Sequence, residues 1–262
     1  MKPPLIFAFT DCKDPNALTR LTARLLSLFP DSSVHAVGIN TDIEAAGCIL
    51  DTLDAIRITD RPSIIIGNLA PRADKHYKNG APFYLGYIGS TIIVATKTCF
   101  SLVAKYHLIE KIQETDVETV CRKFLPEAEA LRIANSQFRS FEYVPRLARY
   151  AYDKKDIPTI ESDIPLLPHN QIWWVDNFGN CKTTITEDEL KNRVVDGKVR
   201  LTLNDQKIEI QFYQKLSDVP VGETAIIIGS SGYENKRFAE ITIQGKSASK
   251  ELGIIPGSKI EF

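Results

Sequence analysis

The two halves of the chain differ in how apolar and polar positions alternate. In the N-terminal half, short apolar runs typical of buried strands alternate with stretches of helical spacing. The predicted strands span 5–9, 34–39, 63–67, 83–86 and 91–95, and the predicted helices span 17–29, 43–53, 99–106, 117–134 and 141–151. Strands that alternate with helices indicate βαβ units, so we predict an α/β domain with a mostly parallel sheet over residues 1–155.

The pattern changes after residue 155. Residues 156–170 carry Pro158, Pro165 and Pro168 among few apolar positions, which is typical of a linker. Short strands dominate beyond it: the predicted strands span 172–176, 183–186, 198–204, 207–213, 224–228, 238–243 and 259–262, with two short helices at 187–192 and 247–252. We therefore predict a small all-β, barrel-like C-terminal domain over residues 171–262.

Residues 176–180, Asp-Asn-Phe-Gly-Asn, lie between two of these predicted strands. Glycine adopts positive φ without a steric penalty, and Asp and Asn side chains bond their own backbone, so the segment is typical of a hairpin tip. It also presents a carboxylate, two carboxamides and an aromatic ring, which suits a flat polar ligand such as an adenosine. Both interpretations remain open at this stage.

Composition narrows the class of protein. A hydrophobic content of 44%, a charged content of 25% and a net charge of −1 are ordinary for a globular protein and give no basic excess for nucleic acid. No run approaches the roughly 20 apolar residues of a membrane span, so we expect no membrane association. The five cysteines are widely spaced, and the apolar run near the N-terminus is too short for a signal peptide. We therefore expect a reducing cytoplasm, no disulfide framework and no metal site.

Three segments carry candidate chemistry. Thr10-Asp11 ends the first predicted strand, where ligands of open α/β sheets bind, and its carboxylate either chelates a ribose diol or caps the next helix. Residues 229–232, Gly-Ser-Ser-Gly, offer hydroxyls and N–H groups to a carboxylate, although a turn explains them more simply and is favoured. The segment that begins at Gln244 leads into a predicted helix, whose start could offer backbone N–H donors to a ligand. A plain glycine turn explains this segment equally well. The glycine-rich motifs that bind phosphates are missing.

Several stretches, in order along the chain, resemble the S-adenosyl-L-methionine (SAM) hydroxide adenosyltransferase family, which includes the SAM-dependent fluorinase and chlorinase. Thr10-Asp11 is similar to the family's T-D, and residues 41–46 to its W/F-D-V-x-x-G/A. Residues 176–185 resemble D-x-F-G-N-x-x-T-N-I, the most specific of these motifs. Residues 229–232 and 241–253 resemble N-S-x-G and V-N-x-G-x-A-A-x-x-L-G.

The resemblance implies an α/β domain followed by a β-barrel, assembled as a homotrimer. SAM would lie between the N-terminal domain of one subunit and the C-terminal domain of its neighbour. The substrate-binding residues it implies are Asp11, Thr41, Asp176, Phe178, Asn180, Ser230 and Gln244. In the family's reaction, a water-derived nucleophile or a halide attacks the ribose C5′ and releases methionine. SAM is then the substrate or ligand, and no separate cofactor or metal is implied.

The implied roles divide the ligand into three parts. Asp11 would bind the ribose hydroxyls. Asp176 and Ser230 would hold the methionine part. Asn180 and the backbone near Gln244 would read the adenine, because a carboxamide both donates and accepts. Phe178, in the same segment as Asn180, would stack against the adenine ring.

The sequence departs from the family where water is held. The family's Asp becomes Asn68, Arg72 takes the place of its Arg, and its His becomes Arg139. An Asn accepts no proton, and an Arg is no general base. The family's methionine-binding acid corresponds to Asp14 or is replaced by Asn16. Three hypotheses follow: a divergent SAM hydrolase-type enzyme, which we place first, a silent binding protein for SAM, adenosine or another nucleoside, and a protein with the fold alone.

Overall fold

The computed structural model describes residues 2–69 and 81–262, which divide into two compact units. The first unit is Met1–Ile49 with Arg57–Leu166, and the second is Leu50–Ile56 with Leu167–Phe262. The predicted site residue Arg72 lies outside the described residues.

A seven-stranded sheet forms the first unit. Its strands are β1 (Leu5–Thr10), β2 (Ser33–Gly38), β3 (Ser63–Asn68), β4 (Phe83–Ile88), β5 (Thr91–Ala95), β6 (Lys111–Thr115) and β7 (Ile160–Asp163). They lie in the order β2-β1-β3-β5-β4-β6-β7. The pairs among β2, β1, β3 and β5 are parallel, and the remaining pairs are antiparallel. The α/β prediction, with a sheet that is parallel at its centre, is confirmed.

Helices connect these strands. They are α1 (Pro15–Leu28), α2 (Asp42–Ile56), α3 (Ser101–Lys105), α4 (Val117–Phe124), α5 (Glu127–Ala134), α6 (Arg139–Glu142) and α7 (Val144–Tyr152), with a 3-10 turn at Lys97–Phe100. Asp14 caps α1 by accepting from the Ala17 N–H at 3.0 Å. The last two turns of α2, Leu50–Ile56, belong to the second unit.

A closed barrel forms the second unit. Its strands are β8 (Asn170–Val175), β9 (Cys181–Thr186), β10 (Lys198–Leu203), β11 (Gln206–Tyr213), β12 (Thr224–Tyr233), β13 (Lys236–Ile243) and β14 (Lys259–Glu261). Their order around the barrel is β10-β11-β12-β13-β9-β8-β14. Two short helices, α8 (Glu187–Lys191) and α9 (Ala248–Leu252), and a 3-10 turn at Leu216–Asp218 complete it. This confirms the predicted barrel.

Side-chain alternation gives the barrel an inner and an outer face. Ala239, Ile241 and Ile243 of β13 pack in the apolar core. Since successive side chains of a strand point to opposite faces, Glu240 and Thr242 lie on the outer face. The pairing register shifts near them at three places: in β8 between Ile172 and Trp174, in β12 between Ile228 and Gly232, and in β13 between Phe238 and Glu240.

The structure corrects the favoured interpretation of residues 229–232 as a turn. This segment continues β12, with a bulge, and pairs again with β13 at Gly232 and Tyr233. Glycine and serine dominate turns in general, but pairing with a partner strand overrides that preference here. Two strands escape sequence-based prediction: β6 has one apolar residue in five, and β7 lies within the segment read as a linker.

Two features are absent from residues 2–69 and 81–262. No helix there combines the length and the apolar character that a membrane span requires. No group of three or more His, Cys, Asp or Glu side chains is arranged to hold a metal ion in that part of the chain.

Candidate functional site

The β8–β9 hairpin tip is held by Asp176. One carboxylate oxygen of Asp176 accepts from the backbone N–H groups of Phe178 and Asn180, both at 2.9 Å. The other accepts from the Asn180 side-chain amide at 3.0 Å, and the Gly179 N–H donates to the Asp176 carbonyl. Three of the roughly four acceptor positions of this carboxylate are therefore engaged inside the turn. The first role of Asp176 is thus to stabilise the conformation of the hairpin tip.

Asn180 is fixed on both sides of its carboxamide. Its Nδ2 donates to Asp176, and its Oδ1 accepts from the Thr242 hydroxyl at 2.6 Å. A carboxamide has two N–H donors and two oxygen lone pairs, so one donor and one acceptor remain. That is the complement of the adenine edge that carries a ring nitrogen beside an exocyclic amine.

A cavity of about 530 Å³ opens beside this hairpin tip. Its lining residues are Phe178, Asn180, Leu216, Thr242, Ile243, Gln244, Gly245, Lys246 and Ser247. The volume lies within the range of small-molecule sites. The Phe178 ring is 72% exposed and borders the cavity, so it is available for stacking. Three predicted ligand residues, Phe178, Asn180 and Gln244, thus line one cavity.

The backbone of Gln244 is engaged in pairing. Its N–H donates to the Glu223 carbonyl at 3.3 Å, and its carbonyl accepts from the Gly222 N–H at 2.8 Å. Each of these two backbone groups thus has a partner within the barrel, and the Gln244 carbonyl keeps a second lone pair.

A polar row runs from the cavity along the outer face of the barrel. Lys182 of β9 pairs with Glu240 of β13, and these residues lie two positions from Asn180 and Thr242 respectively. The Lys182 ammonium donates to the Ser231 hydroxyl at 2.6 Å and lies 5.6 Å from the centre of the Trp173 ring. Glu240 is only 9% exposed, and burial raises the pKa of its carboxyl group while Lys182 opposes the rise.

The bulged segment of β12 is bound by an acid of the same unit. The Gly232 N–H donates to the Asp51 carboxylate at 2.9 Å, and the Ser231 hydroxyl is hydrogen-bonded to the same group. Burial raises the pKa of Asp51, and Gly232, Ser231 and Lys182 oppose the rise. The predicted ligand residue Ser230 is exposed, and its carbonyl accepts from Arg237 at 3.1 Å.

In the first unit, Thr10, Asp11 and Asn68 lie together at the carboxyl ends of β1 and β3. The Asn68 side-chain amide donates to the Thr10 hydroxyl at 3.0 Å, and the Asp11 N–H donates to the Asn68 carbonyl at 3.2 Å. One of the two N–H donors of the Asn68 amide is thus directed to Thr10. This edge of a parallel sheet is where ligands of α/β proteins bind.

Thr41 begins helix α2. Its hydroxyl accepts from the Glu44 N–H at 3.3 Å, while the Glu44 carboxylate accepts from the Thr41 N–H at 2.9 Å. This reciprocal pair is a capping box, so the local role of Thr41 is to start the helix. Asp14, one candidate for the methionine-binding acid, caps the N-terminus of α1. Asn16, the other candidate, lies exposed in the first turn of that helix.

Arg139 lies in another part of the sheet edge. It is half-buried near Tyr143 and near Asp116, which directly follows β6, and burial lowers its pKa. β6 is three places from β3 in the sheet, which separates the strand axes by about 14 Å at the usual strand spacing. Arg139 and Asn68 therefore lie at different places along this edge.

Three residues of the polar row and its surroundings escape prediction: Asp51, Lys182 and Glu240. A sequence signal exists for two of them. Glu240 is an acid between the apolar residues Ala239 and Ile241, and Lys182 lies two residues after Asn180, hence on the same face of the chain. Asp51 gives no such signal, because it is 181 residues away from Gly232.

One protein-family model matches the part of the chain that forms the barrel. Residues 170–261 match the model of the SAM hydroxide adenosyltransferase C-terminal domain. This match confirms the family resemblance found in the sequence motifs, over the C-terminal domain. A search of curated proteins found no match.

Solved structures share the fold along nearly the whole chain. An uncharacterized conserved protein from Thermotoga maritima has a TM-score of 0.69 at 17% identity, covering 98% of this chain and 99% of its own. A conserved hypothetical protein from Thermus thermophilus has a TM-score of 0.60 at 15% identity, with the same coverage. At these identities the likeness establishes the fold alone.

Proposed function

Because its barrel matches the SAM hydroxide adenosyltransferase C-terminal domain, we propose that this chain binds the adenosine part of SAM or of a related nucleoside. The observation that carries the proposal is the cavity of about 530 Å³ lined by Phe178, Asn180 and Gln244. Asn180 keeps one donor and one acceptor for the adenine edge, and Phe178 offers a ring for stacking. Asp11 of another subunit would bind the ribose hydroxyls, as the family resemblance implies.

Hydrolysis of SAM to adenosine and methionine is the second candidate. In that reaction the oxygen of water bonds to the ribose C5′, the C5′–S bond breaks, and its electron pair stays on sulfur as the methionine thioether. A proton leaves the attacking water. The placement of Asp11 beside Asn68 favours this candidate, since both lie where an α/β sheet binds ligands. Asn68 in place of an acid disfavours it, because an amide accepts no proton.

The proposal includes assembly and location. We propose a homotrimer in which the N-terminal domain of another subunit completes the adenosine site, as the family resemblance implies. We also propose a cytoplasmic location, which agrees with five cysteines that form no disulfide within residues 2–69 and 81–262.

A binding and turnover assay tests the two candidates together. Purified protein is titrated calorimetrically with adenosine and with SAM, and parallel incubations with SAM are analysed by chromatography for adenosine and methionine. Binding without product formation supports the first candidate, and equal amounts of both products support the second. No heat with either ligand and no product would contradict both.

One variant ties the binding to the cavity. Phe178→Ala removes an exposed ring and is expected to weaken adenosine binding roughly 10-fold, because stacking on a base contributes about 1–3 kcal/mol. Phe138→Ala is the matched control, since Phe138 is another exposed ring, 60% accessible, in the first unit. An equal effect of the two substitutions, or none from Phe178→Ala, would place the ligand elsewhere.

A further inference from the structure

The bulged segment Gly229–Gly232 already holds a carboxylate, which comes from the chain itself. Asp51, in the last turns of α2, accepts from the Gly232 N–H at 2.9 Å and is hydrogen-bonded to the Ser231 hydroxyl. One backbone N–H and one hydroxyl of this segment, from Gly232 and Ser231, are therefore directed to Asp51.

Two cations contact this segment, and both already have acidic partners. Arg237 donates to the Ser230 carbonyl at 3.1 Å and to Asp54 at 2.9 Å. Lys182 donates to the Ser231 hydroxyl at 2.6 Å and interacts electrostatically with both Asp51 and Glu240. One ammonium group thus faces two acids on this side of the barrel. An added carboxylate would share that cation with both of them and would lie beside two like charges.

This segment lies within reach of a ligand in the adenosine cavity. Lys182 and Glu240 lie two residues from Asn180 and Thr242 on the same face, which corresponds to about 7 Å along the strands. A long chain attached to a nucleoside and extending along this row would meet Lys182 first and Asp51 next.

We propose that Asp51 occupies the position of a ligand carboxylate, so that this chain prefers nucleosides without an amino-acid chain over SAM. The proposal rests on the adenosine-binding function above and names the substrate class of that site. Asp51 is thereby a specificity-determining residue that acts by filling the carboxylate position from within the protein. A nucleoside with a short, uncharged 5′ substituent, such as a methylthio group, fits this class.

Ligand selectivity of the unmodified protein is the first test. Calorimetric titrations compare adenosine, 5′-methylthioadenosine and SAM. We expect the two uncharged nucleosides to bind at least about 10-fold more tightly than SAM. This measurement does not depend on the folding of any variant.

A charge-removing substitution is the second test. Asp51→Asn keeps the size of the side chain and removes its charge, so SAM affinity should rise about 10-fold while adenosine affinity stays within about 2-fold. Asp54→Asn is the matched control: Asp54 lies one turn further along the same helix and bonds the Glu234 N–H at 2.7 Å and Arg237 at 2.9 Å. This control should leave the preference for uncharged nucleosides unchanged.

The outcomes separate this inference from the function on which it rests. If the unmodified protein prefers SAM, or if Asp51→Asn weakens SAM binding or leaves it unchanged, the inference is overturned while adenosine binding stands. If none of the three ligands binds to either protein, the proposed function fails and the inference falls with it.

Discussion

At the scale of single residues, Glu240 is unusual for a side chain on the outer face of a barrel. It is 9% exposed, and its carboxylate oxygen lies so close to Gly229 that a Cβ there would be 2.6 Å from it. Burial is the main reason why its pKa is raised, and Asp176 and Asp51 add to the rise against Lys182. Folding therefore favours the protonated form of Glu240.

The pH dependence of stability follows from that direction. A folded-state pKa above the unfolded value means that Glu240 destabilises the fold increasingly as pH rises from the ordinary glutamate pKa of about 4.3 through the raised value. Glu240→Gln removes this effect. We expect the variant to be more stable than the unmodified protein near neutral pH, with the difference disappearing below about pH 4.

Denaturant unfolding at several pH values measures this difference. Glu209→Gln is the control with the opposite sign, because hydrogen bonds from Arg200 and Lys198 lower the pKa of Glu209. That substitution should lower stability near neutral pH. A stability difference for Glu240→Gln that does not change with pH would show that its carboxyl group is not perturbed in the folded state.

At the scale of elements, the β8–β9 hairpin tip requires a glycine for two separate reasons. Gly179 has φ of +87°, a conformation that other residues adopt at a cost. A Cβ on it would also lie 2.0 Å from the Ser247 Oγ and 2.8 Å from the Ser247 Cα. The tip therefore packs directly against the start of α9, and the Ser249 N–H bonds the Gly179 carbonyl at 3.0 Å.

A pair of alanine substitutions separates these two reasons. Gly222 has nearly the same φ, +84°, but nothing within 4 Å of an added Cβ. Gly222→Ala is therefore expected to cost about 1–2 kcal/mol in the free energy of unfolding, from backbone strain alone. Gly179→Ala should cost about 3 kcal/mol or more, because overpacking against Ser247 adds to the strain. Equal losses in denaturant unfolding would show that the tip does not press on Ser247.

The elements also show what the sequence can predict. Helix α1 follows from Asp14-Pro15 and leucines at helical spacing, which are local signals, and the hairpin tip follows from Asp176 and Gly179 in the same way. Strand β12 does not, because Gly-Ser-Ser-Gly looks like a turn until its pairing with β13 is known. The sequence predicts three residues that line the cavity: Phe178, Asn180 and Gln244. Their neighbours in the cavity are close in the chain or lie in an adjacent strand.

At the scale of the whole molecule, contacts between distant segments limit that prediction. The bond from Gly232 to Asp51 joins residues 181 positions apart, and no periodicity connects them. The same limit applies to assembly, because the sequence motifs suggest a trimer only through resemblance. Local signals therefore predict which side chains can bind a ligand. Long-range contacts decide which of those side chains already form hydrogen bonds within the protein.

The proposed trimer gives the last prediction. The cavity is bordered by apolar side chains with high exposure: Phe178 at 72%, and Val221 at 87%, whose Cγ1 lies 3.7 Å from a Cβ built on Gly245. Covering this border with another subunit would remove apolar surface from water.

Sedimentation equilibrium should give three times the mass of one chain. Val221→Asp should shift the measured mass toward that of one chain, because the new charge would be buried in the interface. Val195→Asp, at a position that is 70% exposed on the same barrel, should leave the mass unchanged. A single-chain mass for the unmodified protein would contradict the trimer.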